Sequence, residues 1–288
     1  MRKFKEFIIE KLILLSGLTS IFFVVLIFLF LLKEGLSVFQ IVTPCDFLFG
    51  KSWYPISEPA QLGILPLMMG SLIITLGATI ISVPIGVACA VYIAEVAPSR
   101  IKEILKAGIE LLAAIPSVVL GFIGMMTLVP WIKNVFHLPT GLTALSGSVM
   151  LAFMAMPTIV SIAEDALYSV PKSYKEGALA LGATHWQTIY RIIVPAASSG
   201  ILAAVMLGIG RVIGETMAVM MITGNAAVIP TSILQPVRTL TATIAAEMGE
   251  AVVGSEHYFA LFAIGIVLFI ISFIINVTSD LFLHRERK

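Results

Sequence analysis

Along the chain, long uncharged apolar runs alternate with short polar stretches, and the runs are longer than a soluble helix needs. About 20 apolar residues cross a hydrocarbon core of about 30 Å. Residues 12–32 form one such run without a charge. Its basic approach, Arg2, Lys3, Lys5 and Lys11, resembles a secretion signal. The apolar part is too long for one, and no small-x-small cleavage site follows, so an uncleaved first span is expected. Residues 62–94 are uncharged and too many for one upright crossing; Pro66 and Pro84 divide them into an interfacial lead-in and a kinked span. Further runs lie at 111–132, interrupted by Pro116, at 138–163, at 192–222 with two charges inside, and at 258–279. The pattern predicts six spans and an all-α integral membrane protein. Residues 1–11 form an N-terminal segment, 12–284 a single six-span domain and 285–288 a tail.

Composition agrees with this and narrows it. The 288 residues are 59% hydrophobic and 12% charged, whereas soluble domains are about half apolar and a quarter charged. So little polar surface excludes a soluble enzyme, a disordered chain and a disulfide scaffold. Lys plus Arg is 18 and Asp plus Glu is 17, so no nucleic-acid partner is expected. Cys45 and Cys89 lack metal-ligand spacing, and Cys89 lies deep in an apolar run.

The placement of the charges sets the orientation. Thirteen of the 18 basic residues fall in the N-terminus, 95–110, 170–191 and the C-terminal tail. The segments 33–61, 133–137 and 223–257 hold Lys33, Lys51, Lys133 and Arg238, and Arg211 remains within the membrane. Basic residues in short loops stay inside, so both termini are expected in the cytoplasm of a cell (plasma or inner) membrane. Of the outer loops, 33–61 carries Trp53, Pro55 and Pro59, suited to the interface. The other, 223–257, is apolar but contains Pro230, Pro236, Glu247 and Glu250. It reads first as a packed outer cap and second as a gate beside a pathway.

The most informative cytoplasmic loop is 171–195, PKSYKEGALALGATHWQTIYRIIVP. Ser173-x-x-Glu176 and Thr184-x-x-Gln187 are capping-box patterns, each opening a helix. Gly182 suits the left-handed position that ends the first one. Pro195 is expected to bend the segment where it enters the membrane. A short, stiff helix-turn-helix tied to the fifth span follows.

Glu176-Gly177-Ala178, Gly182 and Ile192-Ile193-Val194-Pro195 resemble the E-A-A-x3-G-x9-I-x-L-P loop of ABC importer permeases, with Gly177 and Val194 as mild departures. The resemblance implies a type I importer permease fold. It also implies that Glu176, Gly177, Ala178, Gly182, Ile192 and Pro195 belong to a coupling helix docked on an ATPase subunit. Helix capping and bundle packing would account for part of the same pattern. Gly208-Ile-Gly-Arg211-Val-Ile-Gly214-Glu215-Thr216-Met217-Ala218-Val219 is similar to the R-x-x-G-E-T-M-A-V segment of phosphate importer permeases of the PstC type. The partner PstA type continues Gly-Glu-Thr with Ala-Pro instead. Trp53-x-Pro55, Gly63-Ile-Leu-Pro66 with Gly70, and Ile93-Ala-Glu95-x-Ala97-Pro98 resemble the same type. The resemblance implies a PstA-like second permease subunit, two PstB-like ATPase subunits that hold ATP and Mg, a PstS-like extracytoplasmic phosphate-binding protein, and inorganic phosphate as cargo. No cofactor is expected on this chain, and no catalysis.

Arg211 and Glu215 are four apart, so on a continuous helix they would share one face. A charge near the bilayer centre costs roughly 2.5–3.5 kcal/mol on insertion scales and marks a pathway or a pair. Guanidinium geometry suits carboxylate and phosphate alike. The pathway reading has Arg211 attract the oxyanion, Glu215 hold the arginine, and Thr216 line the route. A buried structural ion pair is the alternative. Gly208, Gly210 and Gly214 read as close helix packing; Glu164-Asp165 reads first as a solvated helix end and second as a contact for the ATPase or another cytoplasmic loop.

Other patterns carry no chemistry. Phe49-Gly50-Lys51-Ser52 lacks the first glycine of a phosphate loop, which would fall at Cys45. His137, His185, His257 and His284 are scattered and form no metal pattern. The sequence thus reads as the membrane-spanning subunit of an ATP-driven phosphate importer. Its rivals are the PstA-type subunit, a molybdate or sulfate permease, and a non-transporting membrane signalling or scaffold protein.

Overall fold

In the computed structural model the backbone is described for residues 2–285, with side chains lying between 7 and 278. The part of the expected tail from 286 onward, with Arg287 and Lys288, lies outside the described residues. Helix α1 (Arg2–Gly35) carries no charge between residues 12 and 32. It lies against the last helix through Phe28–Phe269 and Phe30–Phe262 ring contacts, with centroids 4.6 and 5.4 Å apart. At its end a Cβ on Gly35 would sit 2.6 Å from Ile266, so only glycine fits that crossing.

A compact cap follows. Short α2 (Pro44–Phe49) starts at Thr43, whose hydroxyl accepts the Asp46 amide. Strands β1 (Trp53–Tyr54) and β2 (Gln61–Leu62) pair antiparallel and bring Trp53 opposite Leu62. Helix α3 (Leu65–Val91), extended by a π-helical turn Tyr92–Val96, then runs as one piece through Pro84.

Helix α4 (Ser99–Ala114) buries none of its residues and is amphipathic. It stops because Pro116 forces Ile115 into extended backbone. The third span therefore starts at Ser117 rather than near 111: α5 (Ser117–Met126) and α6 (Leu128–Val135) form it together. Helix α7 (Ala144–Tyr168), capped by Thr143, is the hub, with most of one face buried. Lipid offers no hydrophobic drive between helices, so small residues and close contacts must hold them. Gly86 of α3 and a later glycine, Gly208, both back onto Ile159, and Gly77 meets Ser148.

Beyond α7 come α8 (Lys172–Ala180), α9 (His185–Thr188), a π-helical turn Ile189–Ile193, α10 (Val194–Ala196) and α11 (Ser198–Gly214). The axis bends by 68° between Ala196 and Ser198. Proline supplies no amide to the helix ladder, and the bend falls two residues beyond Pro195, as its position predicts. Then follow α12 (Met217–Ile222), α13 (Leu240–Glu247) and α14 (Glu256–Arg285). Among the described residues five helical spans are long and apolar enough to cross a membrane, and the bent pair taken as one span makes six. The loops 95–110 and 170–191 meet at one end of the bundle, where Lys175 pairs with Glu95; that end is the basic face.

Segment 223–257 is a packed cap on the opposite face. Ala144 and Leu145 amides donate to the carbonyls of Gln235 and Ile233, and Val237 pairs with Thr223. Leu240 enters the core beside Leu62, Leu67 and Leu261.

Candidate functional site: a broken span and a helical hairpin

The fifth span is broken twice. Its inner half, α11, ends at Gly214; Glu215 is extended (φ −69°, ψ 130°), and α12 starts two residues later. Glycine has low helix propensity, and a carboxylate just ahead of a helix is favoured by its N-terminal dipole. Accordingly Glu215 Oε1 accepts the Ala218 amide at 3.3 Å, and the Glu215 carbonyl accepts the Thr241 hydroxyl at 2.9 Å. Thr216 turns its hydroxyl back to the Gly214 carbonyl at 3.1 Å.

Arg211 occupies the last turn of α11, about 20 Å along it from Ser198 at 1.5 Å per residue. The one-face pairing with Glu215 is not formed, because the helix ends between them: among the described residues no ion pair joins the two. Arg211 Nη1 instead donates a long bond, 3.4 Å, to Thr158 Oγ1 of α7. The guanidinium is exposed. Gly208 packs closely, as expected, but Gly210 and Gly214 face open space, with no atom within 4 Å of a Cβ built on either. The packing role read for those two is therefore replaced by an open face along α11 that carries Arg211.

At the basic face, α8 and α9 form the expected hairpin. Gly182 takes φ +86°. Its amide donates to Leu179 O, and the Ala183 amide to Ala178 O, at 3.0 and 3.1 Å, which satisfies the carbonyls at the end of α8. The Thr184–Gln187 capping box is complete, with bonds of 3.2 and 2.9 Å. The Ser173–Glu176 box is not: Pro171 occupies the cap position, α8 starts at Lys172, and Ser173 is already inside the first turn. Ala178 is buried against the bundle, whereas Glu176, Gly177, Gly182 and Pro195 are exposed and Ile192 is half-buried. The hairpin also leaves Leu181 91% exposed and Trp186 63% exposed, with Tyr174 and Leu179 beside them.

Three further groups stand out, the first expected only second as a loop contact and the other two missed by the linear reading. Glu164 is 1% exposed, not a solvated end; Lys106 Nζ and Lys102 Nζ of α4 approach it to 3.1 and 3.7 Å. Lys102 also sits 3.7 Å over the Tyr168 ring. The i, i+4 spacing of the two lysines was the available signal. Lys175 of α8 pairs with Glu95 at 2.6 Å. On the opposite face, Glu247 accepts from Trp53 Nε1 at 3.1 Å, from His257 Nε2 at 2.9 Å, and from Arg238. Arg238 Nε donates to Asn225 O at 3.0 Å. These groups border a 680 Å³ cavity. Partners 194 residues apart, Trp53 and Glu247, left no local signal.

A six-span bundle broken at an arginine, with a capped hairpin at one end, is the architecture of a transport permease. Over residues 82–288 the chain matches the binding-protein-dependent transport system inner membrane component family. It belongs to that family and, within it, to the PstC-type permeases. The phosphate transport system permease protein PstC of Mesorhizobium japonicum is 36% identical over 259 residues, 83% of this chain and 78% of that protein. A probable ABC transporter permease protein, YqgH of Bacillus subtilis, is 42% identical over 252 residues, 87% of this chain and 82% of that protein. Among solved structures, a bacterial alginate ABC transporter matches with a TM-score of 0.66 at 16% identity, covering 95% of this chain and 94% of that one. An inward-facing MetNI methionine ABC transporter matches with a TM-score of 0.63 at 18% identity, covering 80% of this chain and 99% of that one. These two likenesses are of fold.

Proposed function

We infer that this chain is the membrane-spanning permease subunit of an ATP-driven inorganic phosphate importer. The observation that carries this reading is Arg211: an exposed arginine far along the fifth span, at a helix break, in a chain whose relatives include phosphate permeases. Such a group is too costly to leave in hydrocarbon and belongs on a protein interface or a water-filled route. A second, PstA-like permease subunit covers the open face of α11, and the phosphate route runs between the two. Arg211 offers its donor fork to the phosphate oxygens. Glu215 does not restrain it; that carboxylate fixes the start of α12 and keeps the backbone broken beside the arginine. Thr216 lines the same break.

The exposed hairpin surface of Leu181, Trp186, Tyr174 and Leu179 is the docking face for one of two ATPase subunits, where ATP and Mg are held. An extracytoplasmic binding protein delivers phosphate to the face carrying Trp53 and Glu247. Both termini are cytoplasmic. ATP binding closes the ATPase pair and shifts the permease between two access states. Binding-protein-dependent phosphate uptake into proteoliposomes holding the complete importer tests this reading. Arg211→Gln is expected to lower uptake at least tenfold while the complex still assembles, since one charge-assisted hydrogen bond is worth about 1.5–3 kcal/mol. Normal uptake by that variant would remove Arg211 from the pathway.

A further inference from the structure

Helix α8 touches the bundle lightly. Ala178 is its one buried residue, and the first turns of α8 border a 280 Å³ cavity lined by Glu95, Tyr168, Lys172, Lys175, Glu176 and Ile193. Packing alone therefore leaves α8 room to rock. Across that cavity Lys175 Nζ meets Glu95 Oε2 at 2.6 Å, and the two side chains are 37% and 11% exposed. Among the described residues this is the one ion pair that α8 forms.

The position of Glu95 gives the pair its reach. It lies on the π-helical turn that prolongs α3, closed by the Ala97 amide on Tyr92 O at 2.8 Å. Helix α3 then runs without a break to the opposite face. There Gly70 abuts the Arg238 carbonyl, and Ser71 Oγ accepts the Leu240 amide at 3.0 Å. Arg238 in turn contacts Glu247, where Trp53 and His257 also meet. The other link from the hairpin, through α9 and α10 into α11, contains the 68° bend. A bent link absorbs displacement, whereas a helix held at both ends transmits it.

We propose that Lys175 and Glu95 are a positioning pair: they tie the ATPase-facing helix to α3, so that displacement of α8 moves the far end of α3 and the cap on the opposite face. The pair thereby sets how much phosphate moves per ATP hydrolysed. This rests on the reading that the α8–α9 hairpin docks the ATPase.

The test uses the complete importer in proteoliposomes and measures phosphate uptake and ATP hydrolysis on the same preparation. Lys175→Glu and Glu95→Lys should each keep the ATPase bound and hydrolysing, yet lower phosphate moved per ATP about fivefold or more, the lower end of usual coupling strengths. The exchanged double variant should recover at least half of the ratio, and Lys175→Arg nearly all of it. The proposal is overturned if single variants keep the normal ratio, if the exchange does not recover it, or if single variants shed the ATPase, since the pair would then serve assembly alone. Leu181→Asp separates the two readings. Retained ATPase binding and full uptake in that variant would sink the docking reading, while the Lys175 and Glu95 ratios still judge the pair.

Discussion

Residue by residue, the charges divide into those that were placed by their neighbours in sequence and those placed by the fold. Glu164 shows the difference. At the end of an apolar run it reads as solvated, but α4 folds back and covers it, leaving Lys106 and Lys102 as its counter-charges. Removing the lysines strands a buried carboxylate, whereas removing the carboxylate leaves lysines that reach water. Leaving a buried charge without its partner costs about 3–5 kcal/mol. Thermal unfolding of the detergent-purified chain is therefore expected to fall much further for Lys102→Ala/Lys106→Ala than for Glu164→Gln. Equal losses would mean that the lysines contribute packing and not charge. The place of Arg211 within a span, by contrast, was legible because no loop could claim it. Its separation from Glu215 was not legible: i, i+4 spacing implies a shared face only where the helix continues, and Gly214 ends it.

At the scale of elements, six apolar runs marked the spans, and the shifts at their ends have local causes. Pro116 moved the start of the third span and Thr143 that of the fourth; Pro195 and Gly214 broke the fifth. The hairpin's shape was the most legible element, because its signals are local: a glycine that must turn left-handed and a reciprocal Thr–Gln cap. The Ser173 box failed for an equally local reason, since Pro171 took its place. The turn makes a direct prediction. Gly182→Ala puts a Cβ at φ +86°, which costs about 1–2 kcal/mol, although no neighbour obstructs it. Thr184→Ala removes a cap worth about 0.5–2 kcal/mol. Each variant is expected to loosen the hairpin and weaken copurification with the ATPase while leaving the bundle's melting temperature nearly unchanged. A large drop in melting temperature would instead make the hairpin part of the bundle's core.

Over the whole molecule, the two faces are built differently, and that contrast locates what the sequence concealed. The hairpin at the basic face is assembled from short-range signals, whereas the opposite face depends on contacts between distant segments: the β1–β2 hairpin, the loop before α13, α13 itself and the start of α14. All four converge on Glu247, through Trp53, Arg238 and His257, whose side chains are largely covered. One carboxylate thus satisfies three donors, and Arg238 also holds the Asn225 carbonyl. Glu247→Ala would leave a mostly buried guanidinium without its counter-charge, at a cost of about 3 kcal/mol or more. Glu247→Gln keeps an acceptor in place and loses only the charge, so its effect should be smaller. Because α3 and α7 also pack on each other away from this cluster, at Gly77 on Ser148 and Gly86 on Ile159, the loss should stay local to the cap. Limited proteolysis ought to open 223–257 first in Glu247→Ala, with the span helices still protected, and Glu247→Gln should fall between that variant and the unaltered chain. If Glu247→Ala resists cleavage as the unaltered chain does, the cap is held by its apolar packing around Leu240, and the carboxylate is dispensable to it.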